Sequence, residues 1–285
     1  MGLVGTDGIF PARFARDLQW VLRCPSLLAS PTCFEPPLPP EPLAGLSREP
    51  VERFFAANAR RRVGYYFESL VRVWLKSLPE ISDLEHGVRI MDDRRTLGEL
   101  DFLFRRAGRL HHLEIALKFY LHFAEPMNGG SRFVGPNAAD SFEEKRDKLF
   151  GKQLPLGKAS FPEIEESGVL MKGRIFYRPD QPEPAELPRA MNPDHGRGTW
   201  IRENELEWLV DTRPGDARGT ILEKPFWLGG GRPNRTMAEL RADVGSHFRR
   251  SRRPVLLSLA EPGSAGWEET DRVFVVSRDW PSDGV

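Results

Sequence analysis

The sequence predicts a sheet covered by helices, of the α/β or α+β class, on three observations. A strongly amphipathic helical stretch, Pro50–Leu78, stands ahead of three consecutive strand-like runs. A polar, turn-rich loop, a further helix and a fourth strand-like run follow, and two more strands close the chain around two helices. The order helix, strand, strand, strand, helix, strand lets helices pack on a sheet that none of these elements could bury alone.

The elements follow in order. Arg13–Leu28 reads as a short helix, and the proline-rich segment Pro31–Gly45 after it is extended or looped. That segment divides an N-terminal arm, residues 1–49, from a single domain, residues 50–285. In Pro50–Leu78, Val63, Phe67, Leu70, Val71, Trp74 and Leu78 recur at three- and four-residue steps. Pro50 suits the first helical turn, Pro79 ends the helix, and Arg60, Arg61 and Arg62 lie on an exposed face. Strands are expected near Val88–Met91, over Gly98–Arg105 and over Leu110–His122, with "RAGR" turning the last two into a hairpin. After the loop "PMNGGSRFVGPNAAD", Ser141–Leu154 reads as a helix capped by Asp140 or Ser141, with Glu143 and Glu144 in its first turn. A strand over Gly168–Tyr177, a long loop, helices near Glu203–Val210 and Met237–Phe248, and strands over Pro254–Ala260 and Arg272–Ser277 complete the expectation.

Composition narrows the function. Of 285 residues, 40% are hydrophobic and 29% charged, a globular mix. Lysine and arginine total 41, as do aspartate and glutamate, so the chain lacks the basic excess of a protein that coats nucleic acid, although a local basic groove is compatible with neutrality. Two cysteines, Cys24 and Cys33, make neither a zinc site nor a disulfide framework and read as reduced cytoplasmic thiols. No signal peptide and no apolar run long enough to span a membrane is expected.

The unusual feature is "LGELDFLFRRAGRLHHLEIALKFYLHF", Leu97–Phe123. Side chains alternate across a strand, so Glu114 and Lys118 share one face with His112, and the hairpin register can bring Asp101 beside them. Two readings are open. The three charges are surface ion pairs, or they form a site in which Asp101 and Glu114 hold a divalent cation such as Mg²⁺ and a lysine aids attack of water on a phosphodiester. "LGGGR" at Leu228–Arg232 lacks the spacing of a phosphate loop and reads as a flexible turn, and "RRSRRP" at Arg249–Pro254 reads as a solvated helix end that can also meet phosphate.

The segments "RRRVGYYFESLVRVWL", "GELDFLF", "HLEIALKFYL", "GPNAADSFEEKRDKLFGKQL", "KGRIFY" and "DRVFVVSRDWP" resemble the bacterial family catalogued as domain of unknown function eighteen fifty-three, over roughly Arg13 to Pro281. That family is grouped with the PD-(D/E)XK nucleases, whose order of helix with Glu, strand with Asp, and strand with Glu and Lys the chain resembles. The resemblance implies an α/β restriction-endonuclease-like fold, a mixed central sheet flanked by helices with elaborations at both ends. It also implies a Mg²⁺- or Mn²⁺-dependent nuclease acting on nucleic acid, DNA foremost, or a degenerate nuclease fold that binds nucleic acid or a protein partner without cleavage. It makes Asp101 and Glu114 metal ligands and Glu68 an additional acid. It places Lys118 or Lys145 at the attacking water or the phosphate, with Lys148 and Gln153 as further contributors from the same helix. One departure stands out: the lysine two residues after the strand glutamate is replaced by Ala116. Lys118 is four residues on, its Cα about 13 Å from that of Glu114 on a regular strand.

Overall fold

A computed structural model describes residues 9–29, 31–34, 62–124, 131–264 and 266–281, with side chains from residue 13 onward. The first part of the expected long helix, with Arg60 and Arg61, lies outside the described residues, as do most of the proline-rich segment and residues 125–130. Ten strands hydrogen-bond as a mixed sheet with helices packed on it, the α/β class the sequence predicts. The residues cluster into two compact units: residues 1–117 with 146–172, and residues 118–145 with 173–285.

The first unit begins with α1 (Ile9–Arg23) and α2 (Val63–Ser77). Phe14, Leu18, Val21 and Leu22 of α1 and Phe67, Leu70, Val71 and Trp74 of α2 are buried, so the three- and four-residue spacing becomes the packed stripe. Asp17 is fully buried and accepts the Tyr66 hydroxyl at 2.6 Å, which ties the two helices together. Burial, and then the Asp17 charge, holds the Tyr66 phenol far above its ordinary range. The N-terminal segment continues onto β5 (Ile164–Tyr177) through bridges of Ser26 to Lys172 and Cys33 to Val169. The buried Lys172 ammonium donates to the Cys24 carbonyl at 2.6 Å.

Three antiparallel strands follow: β1 (Ile81–Asp92), β2 (Arg95–Arg106) and the start of β3 (Arg109–Ala124). The two-residue turn between β2 and β3 puts Ala107 at φ 51° and Gly108 at φ 81°, the left-handed pair that matches the twist of a hairpin. Both faces of β3 are covered from His111 to Ala116, which explains the unbroken apolar run. The helix expected over Ser141–Leu154 is longer and interrupted. It runs as α3 (Phe142–Lys148), a π-helical turn (Leu149–Gln153) and α4 (Leu154–Ser160). Ser141 caps it reciprocally with Glu144: the Glu144 N–H donates to Ser141 Oγ at 3.2 Å and the Ser141 N–H to Glu144 Oε2 at 2.9 Å.

The second unit holds β4 (Ser131–Val134) against the end of β3, then the end of β5, β6 (Arg197–Arg202), a short 3₁₀ turn, α5 (Leu206–Asp211), β7 (Arg218–Leu222), β8 (Arg235–Thr236), α6 (Met237–Phe248), β9 (Val255–Gly263) and β10 (Gly266–Val276). From the end of β5 its strand order is β5-β6-β10-β9-β7-β8, parallel at β5–β6 and β6–β10 and antiparallel elsewhere. Leu206, Leu209, Leu240 and Val244 pack against Leu257, Leu259, Val273 and Val275. Phe119, Phe176, Trp227 and Phe274 form an aromatic cluster, the Phe176 and Phe274 rings 4.7 Å apart. "LGGGR" is a bend that packs closely on its neighbours. Gly230 takes φ 74°, and a Cβ there would lie 2.3 Å from Glu269 Oε2, while one on Gly231 would lie 2.2 Å from Thr220 Cγ2. These glycines let the backbone lie directly on neighbouring side chains. Among the described residues no helix is long and apolar enough to cross a membrane.

Candidate functional site

The site begins with a gap in a ladder. β2 and β3 pair from Arg106↔Arg109 up to Phe102↔Leu113, and the registered pairing ends there, while β2 continues beside β1 through Val88↔Leu100 and Ile90↔Gly98. A backbone N–H freed in a buried place needs another acceptor. Two carboxylates provide it. The Ile115 N–H donates to Asp101 Oδ2 at 2.8 Å, and the Asp101 N–H points to Glu114 Oε1 at 3.4 Å. Each acid thus receives an N–H from across the opening.

Glu114 has further partners. Its side chain is fully buried, as is that of His112, whose Nε2 lies 2.8 Å from Glu114 Oε1. The Gln153 amide donates to Glu114 Oε2. His112 Nδ1 is buried without a hydrogen-bond partner among the described residues, so the network places the imidazole proton on Nε2, facing the carboxylate. Charge-assisted bonds of this kind repay the burial of a carboxylate where an unpaired one would be very costly.

Helix packing closes the site. The π-helical turn carries Gln153 to Glu114, in keeping with the tendency of such turns to re-aim a side chain at a special position. In α4, a Cβ on Gly157 would lie 2.3 Å from His112 Nδ1, so glycine there lets the helix rest on the imidazole. Leu156 stands over Gly98 of β2, where a Cβ would lie 2.5 Å from the leucine Cδ2.

The structure therefore brings Asp101 and Glu114 together and adds His112 and Gln153. The other expected residues, Glu68, Lys118 and Lys145, lie on α2, β3 and α3. Glu68 is half-buried on α2, and Gly64, one turn earlier, has open space around a notional Cβ. Lys118, in the second unit, makes an ion pair with Asp140, both side chains about a third exposed. The Asp140 carbonyl accepts the Gly135 N–H at 2.8 Å, so the loop returns on itself and offers its carboxylate to β3. Tyr120, two residues after Lys118, is held far above its ordinary pKa by burial and then by the Asp140 charge. Lys145 lies in the first turn of α3, its N–H bonded to the Ser141 carbonyl at 3.2 Å. Glu99 is exposed and paired with Arg89 at 3.7 Å, a solvent-facing role.

The divalent cation that the nuclease resemblance implies does not fit the arrangement. Among the described residues no three His, Cys, Asp or Glu side chains converge as ligands. The Glu114 oxygens are turned toward protein donors, and its side chain is sealed from solvent. A hard cation needs those lone pairs and room for its own waters. His112 lies on the face that strand alternation assigns it, beside Glu114. Its signal was its position two residues before Glu114.

The family model described as Domain of unknown function (DUF1853) matches residues 16–276, and the chain belongs to that family. No curated protein and no solved structure matches the chain.

Proposed function

We propose that the chain is a nuclease-like scaffold that works by binding a nucleic acid or a protein partner, and that its acid pair serves the fold rather than hydrolysis. One observation carries the reading: both carboxylates accept N–H groups released by the opening of the β2–β3 ladder, and Glu114 also takes His112 and Gln153. An acid committed to three donors inside the protein is poorly placed to take a metal ion or a water nucleophile. The pairing of Lys118 with Asp140 supports the same reading, because the lysine has a local partner of its own. Cys24 and Cys33 donate their thiols to the Pro25 and Leu28 carbonyls, and reduced cysteines suit a reducing, cytoplasmic setting.

The second reading is a Mg²⁺- or Mn²⁺-dependent nuclease, DNA its foremost substrate. It is favoured by the position of Asp101 and Glu114 on neighbouring strands where the ladder opens. It requires Glu114 to leave His112 and Gln153.

A cleavage panel separates the two. Purified protein is incubated with single- and double-stranded DNA and RNA and either ion. The binding reading expects intact substrate throughout. Metal-dependent cleavage that is lost in both Asp101→Asn and Glu114→Gln overturns it in favour of the nuclease.

A further inference from the structure

The unused charges of the second unit collect at one end of its sheet. β7 ends at Leu222, just before Lys224; β9 begins at Val255, just after Arg252 and Arg253; β10 ends at Val276, two residues before Arg278. The register sets these ends side by side, with Leu222 opposite Leu256 and Val275 opposite Val255. α6 delivers Arg249 and Arg250 to the same place. The connecting turn is fixed: the His247 ring bonds the Arg253 carbonyl at 2.8 Å, and the Arg253 N–H donates to Ser251 Oγ at 3.2 Å.

Lys224, Arg249, Arg250, Arg252, Arg253 and Arg278 are all exposed. Among the described residues two carboxylates meet this set: Asp279 pairs with the Arg252 side chain at 3.1 Å, and Glu203 Oε1 accepts the Arg278 N–H at 3.2 Å. The Lys224 amine sits over the Trp227 ring, 4.7 Å from its centroid. Partial burial, and then the Arg253 charge, holds that amine below its ordinary pKa. Six cations against two acids repel one another, and a further anion relieves the repulsion. A solvated helix end accounts for Arg249 and Arg250, which suit a helix C-terminus. It does not account for Arg253, Lys224 and Arg278, which come from three other segments.

We propose that this sheet end is a docking surface for the phosphate backbone of a nucleic acid. Guanidinium forks suit phosphate oxygens in pairs, and fixing the cations at strand ends sets their spacing. A lipid surface is the poorer fit, because among the described residues the exposed large apolar side chains of this unit, Trp208 and Trp267, lie on other segments and membrane binding wants an apolar face. The chain as a whole is neutral, so the attraction is local. The proposal stands whether or not the acid pair cuts, because binding is read in EDTA, where metal-dependent cleavage is silent.

The test is fluorescence anisotropy with labelled single- and double-stranded DNA and RNA, from about 50 to about 200 mM salt. Binding is expected to weaken steeply with salt, and the variant Arg249→Gln/Arg250→Gln/Arg253→Gln to bind at least about tenfold more weakly with a shallower salt slope. Lys224→Glu is expected to weaken binding independently, and Arg94→Gln/Arg95→Gln, on exposed arginines of the first unit, to leave it unchanged. Unaltered thermal unfolding certifies the variants as folded. The proposal is overturned if no oligonucleotide binds at low salt, if the triple variant binds as wild type does, or if polyglutamate or anionic phosphatidylserine vesicles are bound in preference to oligonucleotides.

Discussion

Glu114 and Lys118 stand four residues apart on β3, yet the protein treats their charges differently. Glu114, in the first unit, is sealed from water and takes donors from His112, Gln153 and the Asp101 backbone. Lys118, in the second, is about a third exposed and pairs with Asp140. A buried charge must have its partners built in, so its removal strands every one of them. A charge at the surface has water as an alternative and gives up little when its partner goes. The arginines at the sheet end of the second unit are a third case, exposed and in excess over the acids beside them.

The largest effect follows from Glu114→Ala. It leaves the His112 N–H and the Gln153 amide buried without an acceptor and is expected to cost about 3 kcal/mol or more, read as a lower urea midpoint at constant slope. Gly157→Ala comes next. Its new methyl group meets an imidazole that cannot move without leaving Glu114, so about 1–3 kcal/mol is expected, and a Gly157→Ala/His112→Ala double variant should recover part of that loss.

Asp101→Ala strands the Ile115 N–H at about 1–3 kcal/mol, whereas Asp101→Asn keeps an acceptor and should lose less; equal losses would show that charge, not acceptance, matters there. Lys118→Met closes the series at about 0–1 kcal/mol, and a loss comparable to that of Glu114→Ala would erase the contrast between the two halves of β3.

A pH test addresses a separate buried group. His195 bonds the Tyr177 hydroxyl through Nε2 at 2.8 Å and the Asn192 carbonyl through Nδ1, and burial first of all holds its pKa below the ordinary 6.5. The unfolded chain therefore takes up this proton more readily than the folded one. The stabilisation is fully present above pH about 6.5 and is lost as the pH falls through the lower folded value. Urea midpoints between pH 7.5 and 5 should fall less in His195→Asn than in wild type; parallel curves would remove His195 from the account.

The sequence made much of this fold legible, because its strongest signals are periodic. The stripe on α2, the β2–β3 hairpin and the capped helix α6 all stand near their expected places. β4, β6 and β7 were not legible: "SRFV" is only four residues long beside a turn-rich stretch, and "RGTWIR" and "RGTIL" lie among glycines and prolines that read as loop. Alternation along β3 correctly grouped His112 with Glu114. It could not show that the registered β2–β3 pairing ends at Phe102↔Leu113, because strand alternation carries no information on register. Nor could it show that the helix after β4 contains a π-turn, which selects Gln153 rather than a lysine to meet Glu114.

The most direct test of the central claim is the equilibrium unfolding of Glu114→Gln, measured alongside the Mn²⁺ cleavage panel. Glutamine presents an amide donor to a pocket already filled with donors, so the account predicts a loss of about 2 kcal/mol or more, with no cleavage by either protein. Unchanged or increased stability in Glu114→Gln, together with Mn²⁺-dependent cleavage by wild type alone, would contradict it and make Glu114 a catalytic ligand.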